Sequence, residues 1–123
     1  MDYISILAKV IIFISIINVW IFRFNKKTIY RGGNASSMKE EFAAYGLSES
    51  IMYIIGTLKI LSALGLIVSI WVPILSIPSA SLMAILMIGA ILMHMKIKDS
   101  PKQSMPAAIF LLLSIIIIIQ TYI

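Results

Sequence analysis

Residues 51–71 read IMYIIGTLKILSALGLIVSIW, and Lys59 is the one charged side chain among them. A stretch so long and apolar matches the ~20 residues that a helix needs to cross a hydrocarbon layer ~30 Å thick. Three further stretches of the same kind occupy roughly residues 4–22, 78–95 and 106–123. The isoleucine run 115–119 favours a strand in water, but a lone strand in lipid would leave its backbone groups unpaired, so a helix is expected there too. The expected fold is all-α: residues 1–123 form a single transmembrane domain, an integral membrane four-helix bundle. Contact with a lipid bilayer follows directly.

Composition agrees, since 61% of the 123 residues are hydrophobic and 12% are charged. A water-soluble domain of this length exposes too much surface to cover so apolar a chain. The chain contains no cysteine, which removes disulfides, thiol redox chemistry and thiolate metal sites. The apolar start lacks a basic leader and carries Asp2 instead, so it reads as a retained span rather than a secretory signal.

The net charge of +5 is concentrated in two places. Arg23, Lys26, Lys27, Arg31 and Lys39 precede the second span, and Lys96, Lys98 and Lys102 follow the third. Basic residues flanking apolar spans set topology, so no nucleic-acid partner is expected. The connection 72–77 and the C-terminal residues 120–123 carry no charge. The expectation is a multi-pass protein of the cell membrane with both basic loops cytoplasmic and both termini external.

The first basic loop has structure of its own. Arg31-Gly32-Gly33-Asn34 reads as a flexible turn, and Ser37-Met38-Lys39-Glu40 fits a capping box. Met38, Phe42 and Tyr45 then share a face, and Gly46 is placed to end the helix. This predicts a short amphipathic helix over about 38–45 at the cytoplasmic surface, either a packing strap or a gate or partner-docking element. Ser48 and Glu49 supply a cap and a negative charge at the start of span two. Pro78 and Pro106 suit the first turns of spans three and four.

Polar residues within spans are the candidate site. Lys59 is about eight residues, or ~12 Å, into span two, where a lysine should face the bundle and find a partner. Two readings are open for it: a structural pair with Glu49, or a ligand, lipid or proton-linked site. Asn18 and Ser114 lie near its depth, and Gly56 and Ala63 share its face. Lys9 points away from Asn18 and Ser15 and is expected to snorkel outward as an interfacial anchor. His94, the single histidine, is expected at the interface as well, and one histidine makes no metal site within one chain. Neither paired intramembrane carboxylates nor a nucleophile with a histidine and acid at suitable spacing occur, so no catalytic residues are assigned and activity as a self-contained enzyme is not expected.

The stretch Tyr45-Gly46-Leu47, the run Ile55-Gly56-Thr57-Leu58-Lys59-Ile60-Leu61-Ser62-Ala63-Leu64-Gly65-Leu66, Trp71-Val72-Pro73 and Gly89-Ala90-Ile91-Leu92-Met93-His94 together resemble the DoxX-like family of small four-span membrane proteins. That resemblance implies mostly architecture. Relatives include a membrane subunit associated with thiosulfate:quinone oxidoreduction, proteins linked to oxidative-stress or quinone response, and distant animal relatives that help to assemble ion-channel receptors. Many carry an acidic residue near the position of Lys59, and the basic residue here departs from that pattern. Three functions stay open: a redox- or stress-associated accessory protein holding a quinone or lipid near Lys59, Asn18 and Ser114; an assembly protein with a membrane protein partner or a homo-oligomer; and a small transporter. The first predicts a cavity at Lys59, the second a filled core and an adhesive cytoplasmic face.

Overall fold

A computed structural model describes residues 3–122 of the chain. Asp2 and the expected end of the fourth span at Ile123 lie outside the described residues. Helix α1 (Tyr3–Ile17) runs directly into a π-helical turn (Asn18–Phe22). A loop leads to the short α2 (Met38–Ala44), and then come α3 (Glu49–Val68), a 3-10 turn (Pro73–Leu75), α4 (Ser76–Lys96) and α5 (Pro101–Tyr122). Among the described residues there is no strand, and the stretches Tyr3–Phe22, Glu49–Val68, Pro73–Lys96 and Pro101–Tyr122 are long and apolar enough to cross a membrane.

The four long helices close into a ring in which α1 packs on α3 and α5, and α4 packs on α3 and α5. Their outer faces are greasy: Leu7 and Ile14 on α1, Leu61 on α3, Ile85 on α4 and Leu112 on α5 are all more than half exposed. Such faces are stable in lipid, which is as apolar as the side chains it meets. One end of the bundle gathers the basic loops and α2, and the other end carries the turn between α3 and α4.

The local signals for α2 and α3 act as their chemistry dictates. Ser37 Oγ accepts from Glu40 N at 3.2 Å, and Ser48 Oγ accepts from Ile51 N at 3.3 Å. Gly46, at φ 80°, ends α2 in the left-handed conformation that glycine adopts without strain. Helix α5 begins earlier than expected. Pro101 opens it and Pro106 lies inside it, because Gln103 reaches back to cap the start by accepting from Ser100 N at 3.0 Å.

Away from the basic loops the ring is tightly filled. Ser62 Oγ donates to Ser79 O at 2.6 Å, and a methyl group at Gly65 would overlap the Ser79 side chain. Small residues thus draw α3 and α4 together at this end. Ile12, Ala63, Leu66, Ala80, Met83 and Ile117 complete the packing with no exposed surface.

Lys9 corrects the expectation of an outward anchor. It is 2% exposed and shares the inward face of α1 with Ser5, Ala8, Ile12 and Ile16, whereas Asn18 is exposed. Helix α1 is apolar on most of its surface, so hydropathy carries no phase that would mark Lys9 as inward. Among the described residues, no hydrogen bond or ion pair reaches the Lys9 ammonium.

Candidate functional site: a cavity above a buried polar network

The π-helical turn at the end of α1 sets the geometry of the site. Its wider winding presents Trp20 to the interior, where the indole is 8% exposed and lies across Gly56 of α3. No larger residue fits at position 56, since a Cβ there would collide with the six-membered ring. One turn along α3, the half-buried Lys59 holds its ammonium 5.3 Å from the indole centroid, within cation–π range. Trp20 also meets Phe42 edge-on at 5.9 Å and Phe24 at 6.1 Å, which links α1 to α2 and the loop.

Beside this pair is a cavity of about 910 Å³ in the half of the bundle nearest the basic loops. Its walls are largely apolar, from Ile16, Ile55, Leu86 and Phe110 among others, and Gly89 leaves open space where a side chain would stand. Arg23, Arg31, Glu41, Tyr45, Lys59 and His94 are among the ionisable groups of the lining, with Asn18 and Gln103 among the neutral polar ones.

Most of those polar groups belong to one hydrogen-bonded network. Arg31, 4% exposed, pairs with Glu41 at 3.0 Å and donates to the carbonyls of Arg23, Phe24 and Lys26. Glu41 accepts in addition from Gly32 N at 3.0 Å and from the Tyr45 hydroxyl at 2.6 Å. The Tyr45 oxygen stands 3.3 Å from His94 Nε2, and His94 Nδ1 is 2.7 Å from Asp99 Oδ2. Asp99 Oδ1 accepts from Gly33 N at 2.9 Å, and Gln103 Nε2 donates to Arg31 O at 2.7 Å. The turn 31–34, expected to be flexible, is therefore tied at both glycines, and Gly32 has no room for a side chain against the Tyr45 ring. Burial first, then the Glu41 carboxylate, push the Tyr45 phenol well above its ordinary value.

The stretch containing these residues is recognisable. The family model described as the DoxX-like family matches residues 28–117. The chain belongs to this family. The matched stretch of this DoxX-like protein takes in the whole network from Arg31 to Gln103 together with Lys59, while Asn18 and Trp20 precede it. Comparison with curated proteins and with solved structures gave no match.

The structure brings only some of the sequence candidates together. Lys59, Asn18 and His94 line the same cavity. Ser114 is fully buried but donates to Phe110 O of its own helix at 2.8 Å and does not line the cavity. Glu49 is exposed and reaches Lys39 at 3.9 Å, so the pairing of Lys59 with Glu49 is not made; the indole of Trp20 faces the ammonium instead. His94, expected at an interface, is 6% exposed in the middle of the network. Sequence reasoning missed Arg31, Glu41, Asp99 and Gln103. The available signal was Asp99, the single acid in an otherwise basic loop, five residues after the only histidine. Lys98, at φ 59°, turns the chain so that Asp99 N meets His94 O at 2.9 Å and its carboxylate meets the ring.

Among the described residues no cluster of three metal-ligating side chains exists. What the arrangement offers is an apolar chamber with a hydrogen-bonded polar floor and the Lys59 ammonium on its wall.

Proposed function

We propose that this DoxX-like protein is a membrane accessory protein, associated with redox or stress chemistry, that holds a quinone or a lipid in the cavity beside Lys59. The observation that carries the reading is the cavity itself. An apolar chamber of about 910 Å³ with a few convergent polar groups has the size and character of a site for an amphiphilic small molecule. A bundle acting only as an assembly scaffold has no use for such a space, because empty apolar volume forfeits packing. Helix α2 also speaks against an adhesive surface, since Met38, Phe42 and Tyr45 turn inward and are each at most 6% exposed. In this proposal the basic loops lie on the cytoplasmic side of the cell membrane, both termini are external, and the cavity sits in the inner leaflet.

The test is mass spectrometry of quinones and lipids carried by protein purified in mild detergent, comparing wild type with Lys59→Met. A defined quinone or lipid retained by wild type and depleted in the variant supports the reading. The same unselective lipids on both would sink it.

A further inference from the structure

Resting on that reading of the cavity, we infer that its occupant is an anionic amphiphile, an acyl chain or chains ending in a carboxylate or phosphate, with Lys59 as the counter-charge. The balance of charge on the lining points this way. Arg23, Arg31 and Lys59 are cationic, and Glu41 is the one carboxylate among the lining residues. That carboxylate is already fully engaged: one oxygen is taken by Arg31, the other by Gly32 N and Tyr45. Arg31 is likewise spent on Glu41 and on backbone carbonyls. Lys59 differs. Among the described residues no hydrogen bond or ion pair reaches its ammonium, and its neighbour is the face of Trp20.

An indole face satisfies an ammonium only in part, because it offers no lone pair to the three N–H donors. A lysine inside a membrane is found against a partner or a polar cavity, and here the open side of the ammonium is the cavity. A neutral carbonyl would accept one hydrogen bond; an acidic oxygen would also neutralise the charge. The walls beyond the head, Ile55, Ile85, Leu86 and Phe110, suit an acyl chain. Ile85 is 64% exposed on the outer face of α4, so the chamber communicates with the lipid phase, from which such a molecule would enter.

The experiment uses the emission of Trp20. The chain has two tryptophans, and Trp71 is 75% exposed at the far end of the bundle, so Trp71→Phe leaves Trp20 as the reporter. The full-length Trp71→Phe protein is titrated in detergent with oleic acid at neutral pH and with oleyl alcohol, and is reconstituted in nanodiscs of phosphatidylglycerol or phosphatidylcholine with matched chains. The expected result is a Trp20 emission change with at least about tenfold tighter binding of oleate than of the alcohol, or a change in phosphatidylglycerol absent from phosphatidylcholine. The arm that responds names the source, a free fatty carboxylate or a lipid headgroup. Lys59→Arg should keep the preference and Lys59→Met should abolish it. Equal binding of oleate and oleyl alcohol overturns the charge preference and leaves the cavity reading standing. No saturable response to any probe, in a protein whose circular dichroism shows an intact helical fold, overturns the anionic amphiphile, and the mass spectrometry of retained quinones and lipids decides the cavity reading separately.

Discussion

The ammonium of Lys59 lies 5.3 Å from the centre of the Trp20 ring, and the same ring covers Gly56 one turn away on α3. Trp20 and Lys59 line the cavity, and Gly56 lies behind the indole. Gly56 admits the indole, the indole attracts the lysine, and the lysine is held at the chamber rather than drawn to the nearest water.

Gly56→Ala should displace Trp20, because the added methyl has no space against the ring. The expected cost is about 1–3 kcal/mol, typical of overpacking in a filled site. Thermal unfolding in detergent measures it, and a red shift of Trp20 emission in the Trp71→Phe background should accompany it. A variant as stable as its parent, with unchanged emission, would show that the close approach is not required.

Arg31→Met should destabilise the fold by roughly 3–5 kcal/mol, since it leaves Glu41 buried without its cation. The paired change Arg31→Met with Glu41→Leu should recover a good part of that loss, because the cost comes from a charge left alone. Denaturant titration of the two variants gives the comparison. A double variant no more stable than Arg31→Met would contradict the pairing.

Tyr45 makes stability depend on alkaline pH. Its phenol is raised by burial and by Glu41, so in the fold it stays neutral where the unfolded chain would ionise, near about pH 10. The contribution is therefore complete below about pH 10 and is lost as pH rises above it, because the unfolded state sheds the proton first. Between about pH 9 and 12 wild type should lose stability more steeply than Tyr45→Phe. Parallel slopes for the two proteins would refute the assignment.

The starts of α2 and α3 and the amphipathic α2 were legible in the sequence, because serine caps and a glycine stop act through local backbone chemistry. The start of α5 was not, because Pro101 and Gln103 open it ahead of Pro106. Which face of α1 turns inward was not legible. In water a helix declares its buried side by polarity, but in lipid both sides are apolar, so Asn18 lines the cavity as its position suggests while the inward turn of Lys9 has no mark in the sequence around it. The network was hidden for a different reason. Arg31 and Asp99 stood among topogenic charges, and nothing in a run of basic residues marks the one that turns inward to meet Glu41. Long-range partners such as Tyr45 and His94, separated by 49 residues, become neighbours only once α2 folds back over the bundle.

Lys98 is the one non-glycine residue with positive φ among the described residues, at the close of α4. Lys98→Gly should relieve the left-handed strain and stabilise the fold by roughly 1 kcal/mol, while leaving the contact of His94 with Asp99 in place. Differential scanning fluorimetry reads the shift. A lower melting temperature would show that the lysine side chain contributes more than its backbone costs.

The most direct test of the central claim fills the cavity without touching its polar groups. Gly89 lines the chamber and has open space around the position of a Cβ, so Gly89→Leu should fold normally and occupy part of the volume. Native mass spectrometry of wild type and Gly89→Leu, released from the same membranes, compares the amphiphile each retains. Wild type should carry a bound species that is reduced or absent on the variant, with equal helicity of the two proteins. Equal loading of both would contradict the claim that this cavity is a binding site.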